Sequence, residues 1–272
     1  MPTMQIDPTL TLYYEDQWLG EPWIQPEVVL LIHGILESSR AWFGWVTHLA
    51  REFRVLRPDL RGFGHSTVPP SDFKWSPSGF AADLKTFLDK LDIASAHIVG
   101  AKFGGSIAFQ FASEYPERTR TLSVLSGPVR ARRTGGSKDL LASSAGLREL
   151  GPRGYAAKTQ RVRLGSEASE AQVAWWTDMM SEADLQVCIG VTSLFHQLDL
   201  SSLLSRIQAP TLLVTTDHSP LQSVETVLEV QRQIPKSELL VLPSDSYHIA
   251  AVQPDECARQ VLKFIKKQRG KQ

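Results

Sequence analysis

Five short segments hold most of the side chains in this sequence that could do chemistry. They are His33-Gly34-Ile35-Leu36-Glu37, Asp59-Leu60-Arg61-Gly62-Phe63-Gly64-His65-Ser66, Ala101-Lys102-Phe103-Gly104-Gly105, Thr216-Asp217-His218-Ser219 and Ser246-Tyr247-His248. Each follows the end of a short β-rich run, and in an open parallel sheet ligands collect at the carboxyl ends of strands. Lys102 is the unusual member. Where a strand turns into a helix, the partial positive charge of the helix N-terminus disfavours a cation. Burial acts in the same direction, so the amine pKa falls and neutral lysine comes within reach of neutral pH. A neutral lysine attacks a ketone or aldehyde to form a Schiff base, whereas a charged one stabilises an enolate or carboxylate. Either role suits carbon–carbon cleavage, decarboxylation or isomerisation. A third route keeps hydrolysis, with His248 activating water and Lys102 polarising the carbonyl. Glu37 is placed to pair with Lys102 and oppose the fall in its pKa; the alternative is a solvent-facing acid at a loop or helix start. No group of His, Asp, Glu or Cys has a metal-binding spacing, so neither metal nor cofactor is expected.

The elements that must position these groups are legible as an alternation. Short β-rich runs at 9–14, 28–32, 54–58, 97–100, 122–125, 211–215 and 238–242 predict strands, several of them apolar enough to be buried on both faces. Between them, 40–53, 78–91, 103–115, 224–234 and 256–267 carry apolar residues at spacings of three and four and predict crossover helices. That order predicts an α/β fold with a mostly parallel sheet flanked by helices. From 128 to 204 the alternation stops and the pattern is helical, which predicts a cap inserted into a core formed by 1–127 and 205–272. In that interval Trp175-Trp176 and Met179-Met180 either line an apolar substrate pocket or belong to the core, and Arg130, Arg132 and Arg133 either bind a carboxylate or form a solvated turn.

Taken together and in this order, the His-Gly turn, the Asp-x-Arg-Gly-x-Gly-x-Ser loop, the Gly-x-x-x-Gly-Gly turn and a late histidine before Pro254 resemble the α/β-hydrolase superfamily along essentially the whole chain. The family's nucleophile elbow is Gly-x-Ser-x-Gly. Here it reads Gly100-Ala101-Lys102-Phe103-Gly104, with lysine in the serine's place. The resemblance implies an oxyanion hole from the backbone amides of Ile35 and Phe103, and His248 as general base. The acid that orients the histidine is expected at Ser219 by position and at Asp217 by chemistry, with Asp245 a weaker local alternative. His33 and His65 are expected to be structural.

Composition sets the outer bounds. With 29 Lys+Arg against 29 Asp+Glu in 272 residues, the chain lacks the basic excess of a dedicated nucleic-acid binder. The two cysteines, Cys188 and Cys257, are too few for a disulfide framework and predict buried thiols in a reducing cytoplasm. The N-terminus lacks the layout of a secretion signal, and no apolar run reaches the length of a membrane span. The expected partner is thus a small-molecule substrate, with no nucleic acid and no membrane. Three classes of function remain: a cofactor-independent enzyme acting on a small carbonyl, ester or lactone compound; a catalytically silent hydrolase-like ligand-binding protein; and a serine hydrolase carrying an inactivating substitution at position 102.

Overall fold

The computed structural model describes residues 2–131 and 143–270. In chain order, strands β1 (Thr3–Asp7), β2 (Leu10–Gln17) and β3 (Val28–Ile32) precede helix α1 (Phe43–Leu49). Then come β4 (Arg54–Pro58), α2 (Pro77–Lys90), β5 (Ala96–Ala101), α3 (Phe103–Glu114) and β6 (Thr119–Leu125). Helices α4 (Ser144–Leu164), α5 (Glu170–Ser181), α6 (Leu185–Leu194) and α7 (Ser201–Leu204) follow without an intervening sheet strand among the described residues. The chain closes with β7 (Thr211–Thr216), α8 (Val224–Gln231), β8 (Ser237–Leu242), α9 (Ile249–Val252) and α10 (Pro254–Arg269).

The eight strands form one sheet in the order β1-β2-β4-β3-β5-β6-β7-β8. Pairing is antiparallel at β1–β2 and β2–β4 and parallel from β4 through β8. Every residue of β3, β5 and β7 is buried, as expected of central strands covered by helices on both faces. The fold is that of an α/β hydrolase. The chain leaves β3 toward β4 on one side and returns to place β5 on the other, so the order reverses at β3. That switch point opens a crevice at the carboxyl ends of β3 and β5. Register pairs Ile32 with Gly100, which puts the loops carrying Glu37 and Lys102 side by side.

Two sequence expectations are adjusted. The run at 9–14 belongs to a hairpin with β1 as an additional edge strand, and its pairing shifts register between Gln5 and Asp7. The segment expected as one helix over 40–53 is a short 3₁₀ turn, Ser39–Trp42, followed by α1. Cys188 and Cys257 are buried and free, and burial pushes both thiols up to about 12. Among the described residues no helix is long and apolar enough to cross a membrane.

Candidate active site

The turn from β5 into α3 is set by close approach. A Cβ on Gly104 would lie 2.1 Å from the Ile32 carbonyl oxygen, and one on Gly100 would lie 2.3 Å from the Gly104 carbonyl oxygen. Only glycine at these two positions lets the turn press against β3. Between them Lys102 adopts φ 54° and ψ −123°, an uncommon conformation for a residue with a side chain. It is held by its own amide, which donates to Leu125 O at 3.0 Å, and by its carbonyl, which accepts from Gly105 N at 2.9 Å. The backbone thus points the lysine away from the helix it precedes and into the crevice. Phe103, the first residue of α3, has one of the amides that a helix leaves without an internal partner.

The loop after β3 brings Glu37 to the same place. His33 Nε2 accepts from Leu60 N at 2.9 Å, which leaves Nδ1–H to donate to Gly34 O at 2.8 Å. That pair of bonds ties the His33-Gly34 turn to the loop after β4. The loop is fixed in turn by the Asp59 carboxylate, which accepts from Ser39 N at 2.6 Å and His65 N at 2.8 Å. Glu37 folds back so that its Oε2 accepts from Gly34 N at 2.8 Å, while Oε1 accepts from Lys102 Nζ.

His248 starts on the far side of the sheet, after β8. Three strand spacings of about 4.8 Å separate β8 from β5, and six residues of extended chain reach roughly 20 Å. The 243–248 segment makes that crossing along the carboxyl edge. Thr216 Oγ1 donates to Ser246 O at 2.9 Å, and Ser246 Oγ and His248 N donate to Arg163 O at 3.0 and 2.7 Å. The ring then lies edge-on to Trp176 of α5, with centroids 4.9 Å apart. His248 Nε2 sits 3.1 Å from Glu37 Oε1. The contact is poorly aligned, and neither ring nitrogen has a hydrogen-bond partner among the described residues.

Glu37 Oε1 is therefore shared between Lys102 and His248, and the three side chains are 1%, 5% and 4% exposed. Their protonation follows from burial and mutual charge. Burial lowers the Lys102 amine to about 8; Glu37 opposes the fall, and the Arg163 guanidinium adds to it. Burial and the Lys102 charge push His248 down to about 4, so its ring is neutral near pH 7. Burial would raise the Glu37 carboxyl, but Lys102 and His248 outweigh it and hold Glu37 well below its ordinary value. The resting site is an ammonium, a carboxylate and a neutral imidazole. The ammonium gives way to free amine as pH rises through about 8.

Other expected site residues fall elsewhere. The Asp217 carboxylate is at the surface, where it accepts from Ser244 N at 2.9 Å and pairs with His218 at 2.9 Å. Ser219 Oγ accepts from Gln222 N at 3.3 Å, and the Asp245 carboxylate accepts from Ser166 N at 2.9 Å. None of the three makes a hydrogen bond or ion pair with His248, and the carboxylate beside the ring is Glu37. Trp175 and Trp176 touch edge-on with ring centroids 5.3 Å apart, yet face different neighbours because successive helical residues point about 100° apart. Trp176 packs on His248, while Trp175 packs on Phe43 at 5.0 Å and beneath Arg40 at 5.6 Å. Arg130 is exposed and pairs with Asp199; Arg132 and Arg133 lie outside the described residues. The residue that sequence reasoning missed is Arg163. Its signal was the spacing Tyr155-Thr159-Arg163, which puts an arginine on the buried face of α4.

The profile of the α/β hydrolase fold family matches residues 27–163, half of the chain, and the chain belongs to that family. An uncharacterized protein of Mycobacterium tuberculosis is 40% identical over 98 residues, 36% of this chain and 28% of that protein. The chain thus spans under a third of the length of that relative. A poly(3-hydroxyalkanoate) depolymerase of Ectopseudomonas oleovorans is 24% identical over 257 residues, covering 92% of this chain and 87% of the relative. The crystal structure of the enol-lactonase from Burkholderia xenovorans LB400 superposes with a TM-score of 0.87 at 20% identity, over 97% of this chain and all of that one, a likeness of fold.

Proposed function

We propose that this chain is a cofactor-independent enzyme acting on a small carbonyl, ester or lactone compound, with Lys102 working where family members carry the nucleophilic serine. The observation that carries the reading is the buried cluster in which Lys102 Nζ and His248 Nε2 share one oxygen of Glu37 at the sheet's switch point. In this reading helices α4–α7 form the cap that keeps water from the pocket, and the substrate is the protein's partner. The Lys102 ammonium, held by Glu37, donates to the substrate carbonyl oxygen and polarises it. Backbone amides at Ile35 and Phe103 take up the charge that develops there. His248 accepts a proton from water as the water oxygen bonds to the acyl carbon. It then gives that proton to the leaving oxygen as the acyl C–O bond breaks. An enol-lactonase and a polyester depolymerase among similar proteins support an acyl carbon bonded to oxygen as the target.

A second reading is favoured by the lowered amine pKa of about 8. The free amine adds to a ketone or aldehyde and water leaves, giving an imine on Lys102. One pair of experiments tests both. A panel of p-nitrophenyl esters, lactones and β-dicarbonyl compounds should reveal turnover that Lys102→Met abolishes while keeping its circular dichroism. Borohydride added with a turned-over ketone leaves a mass increment on the Lys102 peptide only if the imine forms. Full activity of Lys102→Met on every substrate found would overturn the proposal.

A further inference from the structure

Arg163 stands on the last turn of α4, 5% exposed, and makes no ion pair with a carboxylate among the described residues. Its Nε donates to Thr159 Oγ1 at 3.1 Å and its guanidinium lies 5.8 Å from the centre of the Tyr155 ring. It is also hydrogen-bonded to the Tyr155 side chain, and both partners are neutral, so its contacts leave the charge of this five-donor guanidinium without a counter-ion among the described residues. Its position is tied to the site, because its carbonyl accepts from both His248 N and Ser246 Oγ. Its charge is felt there too, depressing both Lys102 and His248.

Charge accounting makes the arrangement informative. Two buried cations, Lys102 and Arg163, stand around one carboxylate, Glu37, and the nearby imidazole is neutral. The helix ends do not settle the balance. The C-terminus of α4 favours a cation at Arg163, while the N-terminus of α3 disfavours one at Lys102. Buried charges are normally paired, so among the described residues this site lacks one negative charge.

We propose that the missing charge belongs to the substrate: the site takes a small organic monoanion whose carboxylate is held by the Arg163 guanidinium while its reacting group lies between Lys102 and His248. The inference rests on the preceding reading of the site and narrows it to carboxylate-bearing compounds. The planar fork of arginine matches a carboxylate with two parallel hydrogen bonds. Trp176, packed edge-on against His248, puts an aromatic ring beside the base, suited to an apolar substituent of the substrate.

Calorimetric titration of the whole protein near pH 7 with phenylacetate and with its uncharged counterpart phenylacetamide tests the proposal. The acid should bind at least about tenfold more tightly, the order of a charge-assisted hydrogen bond. Arg163→Gln should erase that preference, and Arg163→Lys, which keeps the charge without the fork, should retain part of it. Thermal unfolding of each variant confirms that it is folded. Equal affinity for acid and amide in the wild type overturns the proposal without reference to any variant, as does the absence of saturable phenylacetate binding. A preference that survives in a folded Arg163→Gln variant overturns the assignment to Arg163. Neither probe carries an ester or lactone group, so these results stand whether or not esters and lactones are turned over, and loss of the enzymatic reading would leave the binding preference in place.

Discussion

In Lys102→Met the Glu37 carboxylate stays where it is, 1% exposed, and loses the cation that holds it ionised. A lone buried carboxylate escapes its desolvation by taking up a proton. In the wild type, Glu37 and His248 together carry no proton between about pH 5 and 7, because the carboxyl is held well below 4.5 and the ring at about 4. In the variant the pair carries one, on the carboxyl or on the ring. The sign follows from proton counts. Apart from the Lys102 proton, which the wild type carries both folded and unfolded in this range, the two unfolded chains bind the same number of protons, while the folded variant binds one more than the folded wild type. Its stability therefore falls relative to wild type as pH rises. One proton corresponds to about 1.4 kcal/mol per pH unit, so the gap should widen by about 2.7 kcal/mol between pH 5 and 7. Urea unfolding of both proteins across that range measures it. Adding Glu37→Gln to the variant removes the group that needs the proton and should return the profile to the wild-type slope. Parallel profiles for wild type and Lys102→Met would refute the reasoning, since they would mean that no proton is recruited and the pair is not coupled in the folded protein.

Two further outcomes follow from the geometry. Gly104→Ala puts a methyl group against the Ile32 and His33 carbonyl oxygens, both backbone; it should cost about 1–3 kcal/mol or more, read as a lower urea midpoint. Asp217→Asn should leave turnover on any substrate found unchanged, because Asp217 serves Ser244 and His218 at the surface. A loss as large as that of Lys102→Met would restore Asp217 as the orienting acid.

The central strands were legible because their burial is written in composition: Val28–Ile32 and Arg54–Pro58 have the same limits in sequence and structure. The edge strand β1 was not, because its burial alternates weakly and Asp7-Pro8 breaks the run. Lys102 could be picked out because the glycines around it are demanded by close approach to β3, a constraint that survives as a spacing motif. Its pairing with Glu37 stood as one of two alternatives, since sequence does not show which way a side chain leaves a loop. The proposed acids, Asp217 and Ser219, were assigned by counting from a strand end. The histidine instead meets a carboxylate four strands away in sheet order, a neighbour set by the path of the 243–248 segment. Arg163 was hidden because one arginine on a long polar helix carries no signal until the helix is seen to turn that face inward.

The most direct test of a working lysine at this turn is the titration of Lys102 itself. Carbon NMR of protein labelled at the lysine ε-carbon follows the amine, with Lys102→Met identifying its resonance. A midpoint of about 8, against the ordinary 10.5 of lysine, is the result expected of an ammonium buried beside Glu37 and Arg163. In Glu37→Gln the midpoint should fall further, since the one carboxylate that supports the charge is gone. A midpoint at or above 10.5 in the wild type, unmoved by Glu37→Gln, would contradict the account, because Lys102 would then be neither buried nor coupled to the groups it is proposed to work with.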